Sequence, residues 1–234
     1  MTETGKKEQV RNMFNRIAGN YDFLNHFLSL GIDVYWRKRL VKKLKKNQPN
    51  TILDIATGTG DLAIAISRNI PNAQIIGADI SEKMLEVGQK KIVKKKLQDK
   101  ILLEEGDSEA LKYKNGQFDA VTVAFGVRNY ENLDHGLKEM YRVTKTNGEV
   151  FILEFSKPTA FPIKQIYNFY FKTILPLLGK GVSKDQSAYT YLPESVQSFP
   201  DGIAFLQHLE NAGYQNVYQT KLSFGIATIY SGRK

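Results

Sequence analysis

Apolar and polar positions fall along this chain in blocks of two kinds. Short apolar runs bounded by acids or glycines read as buried parallel strands at 51–56 (TILDIA), 74–79 (QIIGAD), 101–107 (ILLEEGD), 118–126 (FDAVTVAFG) and 149–155 (EVFILEF). Longer helical patterns separate them: 62–69 (LAIAISRN), a Lys- and Glu-rich stretch with Ser81 as N-cap that runs to about Lys96, and a segment from about Leu133 to Thr144 leading into a turn at Asn147-Gly148. Strand and helix in alternation predict a doubly wound, mostly parallel sheet. The end of the chain departs from the alternation. An amphipathic helix over 201–214, closed by Gly213, precedes strand-like runs at 216–222 and 225–232 that predict an antiparallel pair, giving seven strands.

Two stretches stand outside this order. Residues 1–50 read as a mostly helical N-terminal segment, and 157–199 as an insert rich in Tyr, Phe and Leu. Ligands of open α/β sheets bind beyond the carboxyl ends of the strands, and the insert leaves from that edge. Both extras are therefore expected to cover a site as a cap, within one domain spanning 1–234.

Charge adds a direction. The formal net charge is +9, and residues 1–50 hold 11 Lys/Arg against 4 Asp/Glu, with a second basic cluster at 90–96 (KKIVKKK). Such a front end suits an anionic membrane surface or nucleic acid, and equally a solvated helix face. The absence of cysteine excludes disulfides, thiolate nucleophiles and Cys-ligated metals, and no metal site is expected. No secretory signal is read at the N-terminus, and no apolar run approaches the length of a membrane-spanning helix, so a cytoplasmic protein is expected.

The candidate chemistry gathers at ILDIATGTGDLAIAI, 52–66. Gly58-Thr59-Gly60 is a glycine turn with Asp54 before it and Asp61 after it. Formally it matches a dinucleotide fingerprint, which is weak evidence alone. Asp61 falls where a pyrophosphate would meet the helix N-terminus, and its charge would oppose one. S-adenosylmethionine, with a sulfonium, an ammonium and no phosphate, meets no such conflict. Asp54 is placed to face its methionine end, Asp79 at the end of the second strand to accept both ribose hydroxyls, and Asp107 with Ser108 to read the adenine edge. A lone Asp at a strand end is ordinarily a cap or solvated; three at successive strand ends make that reading weak.

These residues carry a resemblance. The chain resembles the class I S-adenosylmethionine-dependent methyltransferases, and more narrowly the menaquinone/ubiquinone biosynthesis C-methyltransferases. The likeness runs through F-x-x-I-A-x-x-Y-D-x-x-N (14–25), S-x-G-x-x-x-x-W-R (29–37), LDIATGTGDL (53–62), GDSEAL (106–111), FGVRN (125–129), MYRVTKTNGEVFILEFSKP (140–158) and YTYLPESVQSFP (189–200). The glycine turn says only methyltransferase; FGVRN, EFSKP and the YLP-x-S-x-x-x-FP run carry the narrower likeness. Lys145-Thr146-Asn147-Gly148 stands where the family usually has Lys-Pro-Gly-Gly. The resemblance implies a Rossmann-like fold, S-adenosylmethionine as cofactor, contacts from Thr59, Asp79, Asp107 and Ser108, and methylation of a demethylated isoprenoid quinol such as demethylmenaquinol, or of the methoxy-benzoquinol precursor of ubiquinone. Thr57, Gly58, Gly60, Ile80 and Ala124 complete the expected cofactor-facing set with Asp54.

Carbon methylation needs alignment and a stabilised phenolate. Arg128 and Asn129, after the fourth strand, are expected at the mouth where an acceptor sits, with Tyr21 closing over the cofactor. A structural Arg paired with an acid is the competing reading for Arg128, and packing for Tyr21 and Asp22. His26 is read as a surface or core histidine. The prenyl tail asks for an apolar channel, for which the insert offers Phe161, Ile166, Tyr167, Phe169, Tyr170, Ile174, Leu175 and Leu178. The expected partners are the quinol and, transiently, the cytoplasmic membrane surface, with a homodimer left open. Nucleic acid is not expected, since the chain has no Asn-Pro-Pro-Tyr-like motif and no Cys for pyrimidine attack. A nicotinamide oxidoreductase and a small-phenol or RNA methyltransferase are the rival enzymes, and a cofactor-fold binding protein the rival of another class.

Overall fold

In a computed structural model, residues 5–170, Thr173 and 187–234 are described. The N-terminal segment forms α1 (Lys6–Ile17), α2 (Tyr21–Leu28) and α3 (Ile32–Leu44). The alternating region follows as β1 (Thr51–Ile55), α4 (Asp61–Asn69), β2 (Gln74–Asp79), α5 (Glu82–Lys94), β3 (Ile101–Glu105), β4 (Phe118–Ala124), α6 (Leu133–Val143) and β5 (Thr144–Phe155). In the insert lie α7 (Ile163–Phe169) and α8 (Ser187–Ser198); α9 (Ile203–Asn211), β6 (Gln215–Leu222) and β7 (Ala227–Arg233) end the chain.

The seven strands form one sheet in the order β3-β2-β1-β4-β5-β7-β6. Strands β1 to β5 pair in parallel, and β7 runs antiparallel to both of its neighbours. The order reverses between β1 and β4, so the chain leaves these two strands in opposite directions and opens a crevice at their carboxyl ends. The central strands bury both faces, and the edge strands β3 and β6 do not. Ile52 of β1 packs with α3, α4 and α5 through residues such as Leu40, Leu62 and Ile92. Leu53 and Ile55 point the other way, toward Leu137 of α6 and Phe205 and Leu209 of α9. Asp54 shares the face of Ile52 and sits at the crevice.

Two local features differ from the expected pattern. Asn147-Gly148 does not end an element. It lies in a bulge inside β5, where β4 advances from Phe118 to Ala120 while β5 advances from Thr144 to Glu149. Asn147 takes a left-handed φ of 65°, and a Cβ on Gly148 would lie 2.8 Å from the Asp119 carbonyl oxygen, so Asn-Gly is needed there for a bulge, not a turn. The apolar run of the insert also faces differently. Tyr167 is buried against Ile17, Leu192 and Ile226, but Phe161, Ile166 and Phe169 point to solvent and wall no described channel. Ile174, Leu175 and Leu178 lie outside the described residues.

Candidate active site

The first βα turn is built on left-handed backbone: Ala56, Gly58 and Gly60 have φ of 51°, 57° and 78°. Gly60 starts α4 in that conformation, with its own N–H donating to Thr57 O at 2.9 Å. The turn holds the acid before it. Asp54 is buried, and its two oxygens accept from the hydroxyls of Thr57 and Thr122, each at 2.7 Å. Burial pushes its pKa up to about 6, because these hydroxyls and a backbone N–H only partly replace water.

Asp79 closes β2. Its carboxylate accepts from Gly58 N–H and Ser81 N–H, both at 2.8 Å, and burial raises its pKa. Two N–H donors occupy about half of the roughly four acceptor sites of a carboxylate, so Asp79 can accept more. Asp107 follows β3. One oxygen accepts from Glu109 N–H at 2.9 Å, and the other pairs with Lys7 of α1 at 2.7 Å.

Two adjoining cavities open over these acids. The larger, of about 680 Å³, is lined by Asp79, Ile80, Met84, Asp107, Ser108 and Asn129 among others, with Phe14 of α1 and Tyr21 of α2 across it. The smaller, of about 380 Å³, is lined by Asn25, Arg37, Asp54, Thr57, Thr59 and Asp61. Tyr21, Ala56, Gly58, Ala124 and Phe125 border both. The N-terminal segment is therefore a cap on the crevice.

Ion pairs hold that cap to the glycine turn. Lys91, from the basic stretch 90–96, turns inward to Asp22 of α2 at 2.7 Å and to Asp61 of α4. Thr59 Oγ1 donates to Asp22 and accepts from Lys91 at 3.0 Å. Arg37, nearly buried, pairs with Asp33 and reaches Asp61 at 3.5 Å. Asp61 is thus not a bare charge at the helix N-terminus, as the sequence suggests, but one matched by two cations. His26 pairs with Asp33 at 2.8 Å and does not line either cavity.

Of the cofactor-facing and catalytic residues expected from sequence, all but two line one cavity or the other. Gly60 and Arg128 line neither. Gly60 shapes the turn. Arg128, expected at the mouth, is turned away from it: its side chain is 7% exposed, and Nη1 donates to the fully buried Glu154 at 2.8 Å and to the Phe125 carbonyl. Its guanidinium lies 5.4 Å from the Phe155 ring centroid. The competing reading, an Arg paired with an acid, describes its contacts. Tyr21 is partly buried beside the charges of Arg128 and Arg37, and desolvation still raises its pKa, so it is a neutral hydroxyl at pH 7.

Sequence reasoning did not single out Arg37, Phe14, Met84 or Tyr130 as cavity residues, nor Glu154 as the partner of Arg128. Arg37 had a signal, since it ends the S-x-G-x-x-x-x-W-R motif. So did Phe14, which opens the F-x-x-I-A-x-x-Y-D-x-x-N run, and Glu154, which opens EFSKP; Met84 and Tyr130 are contributed by segments that meet only in the fold.

The donor set fits S-adenosylmethionine. The smaller cavity offers two carboxylates, Asp54 and Asp61, and one guanidinium, Arg37, to a group carrying an ammonium and a carboxylate. The larger offers the spare acceptor capacity of Asp79 to a diol and the apolar faces of Ile80, Met84 and Tyr130 to a flat ring.

A model of the ubiE/COQ5 methyltransferase family matches residues 1–234. The chain is 48% identical over 229 residues to the demethylmenaquinone methyltransferase of Bacteroides fragilis, covering 98% of this chain and 94% of that protein. It is 43% identical over 232 residues to the ubiquinone/menaquinone biosynthesis C-methyltransferase UbiE of Geotalea daltonii, covering 99% and 98%. Among solved structures, a SAM-dependent methyltransferase from Aquifex aeolicus aligns with a TM-score of 0.59 at 17% identity, over 82% of this chain and 88% of that one, which is a likeness of fold.

Proposed function

The chain belongs to the ubiE/COQ5 methyltransferase family, and from that premise we propose that it transfers a methyl group from S-adenosylmethionine to a ring carbon of a demethylated isoprenoid quinol, with demethylmenaquinol as the substrate. The observation that carries this reading is the family match over residues 1–234, on a chain whose acids after three successive strands meet at one crevice. The methoxy-benzoquinol precursor of ubiquinone is the second reading, supported by the name of the Geotalea relative. The greater identity to the Bacteroides relative favours the naphthoquinol.

When bound, the cofactor supplies an activated methyl and its own leaving group. The chain's residues bind and align. Asp54 and Asp61 would hold the ammonium, Arg37 the carboxylate, Asp79 the ribose hydroxyls, and Asp107 with Ser108 the adenine edge. For the acceptor the cleft offers Tyr21 and Asn129, both polar and both lining the larger cavity. A neutral tyrosine hydroxyl and an amide N–H donate to a phenolate oxygen and so favour the ionised quinol. Arg128 acts from below, fixing the loop that carries Asn129 through its bonds to Glu154 and Phe125.

The tail of such a substrate points to a membrane. Among the described residues no helix is long and apolar enough to cross one. Contact is instead read at the sheet edge that holds the cleft. Leu30 before α3, Phe161 after β5 and Phe224 after β6 all stand at that edge, and are 77%, 82% and 79% exposed. We place the inner leaflet of the cytoplasmic membrane against that face.

The test is methyl transfer from labelled S-adenosylmethionine in detergent, with reduced demethylmenaquinone and the reduced methoxy-benzoquinone precursor offered in parallel beside oxidised controls. Label is expected in the naphthoquinol and only when it is reduced. Cofactor binding without label in either lipid would refute the reading.

A further inference from the structure

Helix α8 of the insert reaches the cleft through one hydrogen bond. Tyr191 Oη donates to Asn129 Oδ1 at 3.0 Å. Asn129 ends the single helical turn 127–129 after β4, and its backbone N–H is already held by Gly126 O at 3.0 Å. Asn129 lines the larger cavity.

An asparagine amide is nearly symmetric in shape and opposite in chemistry at its two ends: the oxygen accepts and the nitrogen donates. Which end faces the cleft depends on what holds the other. A hydroxyl can bond either end, so the surroundings of Tyr191 matter. Its ring is half-buried beside the Arg128–Glu154 pair, and its hydroxyl donates to the amide oxygen and does not accept from the amide nitrogen. With Oδ1 engaged by that hydroxyl, Nδ2 is the end left to the cavity, and no described residue accepts from it.

We infer that Tyr191 is a positioning residue: it holds the Asn129 carboxamide with its N–H donors toward the methyl acceptor, so that the cleft presents a donor to the ring oxygen that becomes negative. The inference rests on the quinol reading. The ring hydroxyl next to the attacked carbon gives its proton to water, and its oxygen carries the charge until the ring's electron pair has formed the new C–C bond; the methyl–sulfur bond would break in the same displacement, its electron pair going to sulfur, which would leave as a neutral thioether. Loss of the ring C–H proton then restores the aromatic ring, and the oxygen takes up a proton again. A donor at that oxygen lowers the pKa of the bound quinol and stabilises the charge as the methyl transfers. An amide turned end over end would put a carbonyl oxygen there, which repels a phenolate. The bond also ties the insert to the cleft, because the donor is oriented only when α8 is in place.

The experiment compares wild type, Tyr191→Phe and Asn129→Asp in single-turnover methylation of short-chain demethylmenaquinol across pH. Calorimetry of S-adenosylmethionine binding runs alongside. Removing one oxyanion donor outright costs about 100–1,000-fold, and losing only its orientation should cost part of that, about 5–30-fold in rate for Tyr191→Phe. Cofactor affinity should stay within two-fold, and the apparent pKa of the rate should move upward. Asn129→Asp, which has no N–H to offer, should lose at least as much, and adding Tyr191→Phe to it should cost nothing more. A quinol carrying an electron-withdrawing ring substituent should recover most of the loss in Tyr191→Phe. An unchanged rate, or a loss with an unmoved pH profile and no recovery by the more acidic quinol, would overturn the inference and leave the quinol reading intact. A wild type that binds cofactor and methylates no quinol would take both down.

Discussion

Arg128 and Glu154 put a guanidinium and a carboxylate out of water, and the cost of separating them can be worked out. Glu154 is 0% exposed and Arg128 7%, with 2.8 Å between Nη1 and Oε1. Replacing Arg128 by Met keeps an unbranched apolar stem, removes the guanidinium and leaves a buried carboxylate whose remaining donors are backbone N–H groups, those of Phe155 at 2.9 Å and residue 128 at 3.4 Å. Breaking a buried pair in this way costs about 3–5 kcal/mol. For a chain of this size each kcal/mol is about 2–4 °C in melting temperature, so the shift should be about 6–20 °C downward. The sign of its pH dependence follows from Glu154. Burial raises its pKa, and Arg128 is the largest influence pulling the other way. Without Arg128 the folded-state pKa rises further. The folded variant then binds a proton that the unfolded chain releases, and its stability falls as pH rises from the ordinary Glu range through the raised value. Urea unfolding at pH 8 and pH 5 should therefore give a larger loss at pH 8, and Arg128→Met with Glu154→Gln should recover most of it. A loss below about 1 kcal/mol, equal at both pH values, would mean that Glu154 is already protonated beside Arg128 and would refute the ionic account.

Two further outcomes follow from the same geometry. Asp54 must be ionised to hold an ammonium, and its pKa is pushed up to about 6; calorimetry of S-adenosylmethionine binding should show affinity falling below pH 6, by up to about ten-fold per unit. Asp54→Asn should remove that dependence and weaken binding at pH 8, and a pH-independent wild type would refute the assignment. Phe224→Ser removes an exposed aromatic with a left-handed φ of 58°; flotation with anionic vesicles should show reduced binding and unchanged melting, whereas undiminished flotation would place the membrane face elsewhere.

The strand-ending acids were readable in the sequence because an acid that closes an apolar run next to a glycine turn has few places to go in a doubly wound sheet. Asp54, Asp79 and Asp107 are carried to one crevice by the topology alone, since β1, β2 and β3 run side by side in the same direction. Arg128 shows where that reasoning stops. Its position after β4 is legible; its partner is not, because Glu154 lies 26 residues away on the neighbouring strand and meets it only through the register that pairs Ala124 with Leu153. The same holds for Lys91, which looked like one of a run of surface lysines and instead joins α2 to α4. The insert failed differently: helical spacing of apolar residues says that a helix has a stripe, but not whether the stripe faces protein or solvent. Asn147-Gly148 carried the right backbone chemistry, left-handed φ, for a bulge as well as for a turn.

The buried acids at the switch point pose a problem that the ligand resolves. Asp54 and Asp79 lie near enough that each charge opposes the other, and burial disfavours both ionised forms. In the absence of a cation between them these carboxylates destabilise the fold they occupy, since a carboxylate with a raised folded-state pKa lowers stability once pH exceeds its unfolded value. Two backbone N–H groups on Asp79 and two threonine hydroxyls on Asp54 offset part of that cost. The rest is available to a ligand that brings a positive charge and hydroxyl donors to the same atoms. Selectivity for such a ligand over a nucleotide therefore comes from unmet demand in the folded chain: a phosphate would add to the negative charge at the turn, whereas an ammonium and a diol relieve it. This accounts for a glycine turn flanked by carboxylates without appeal to the fold, which accommodates many ligands.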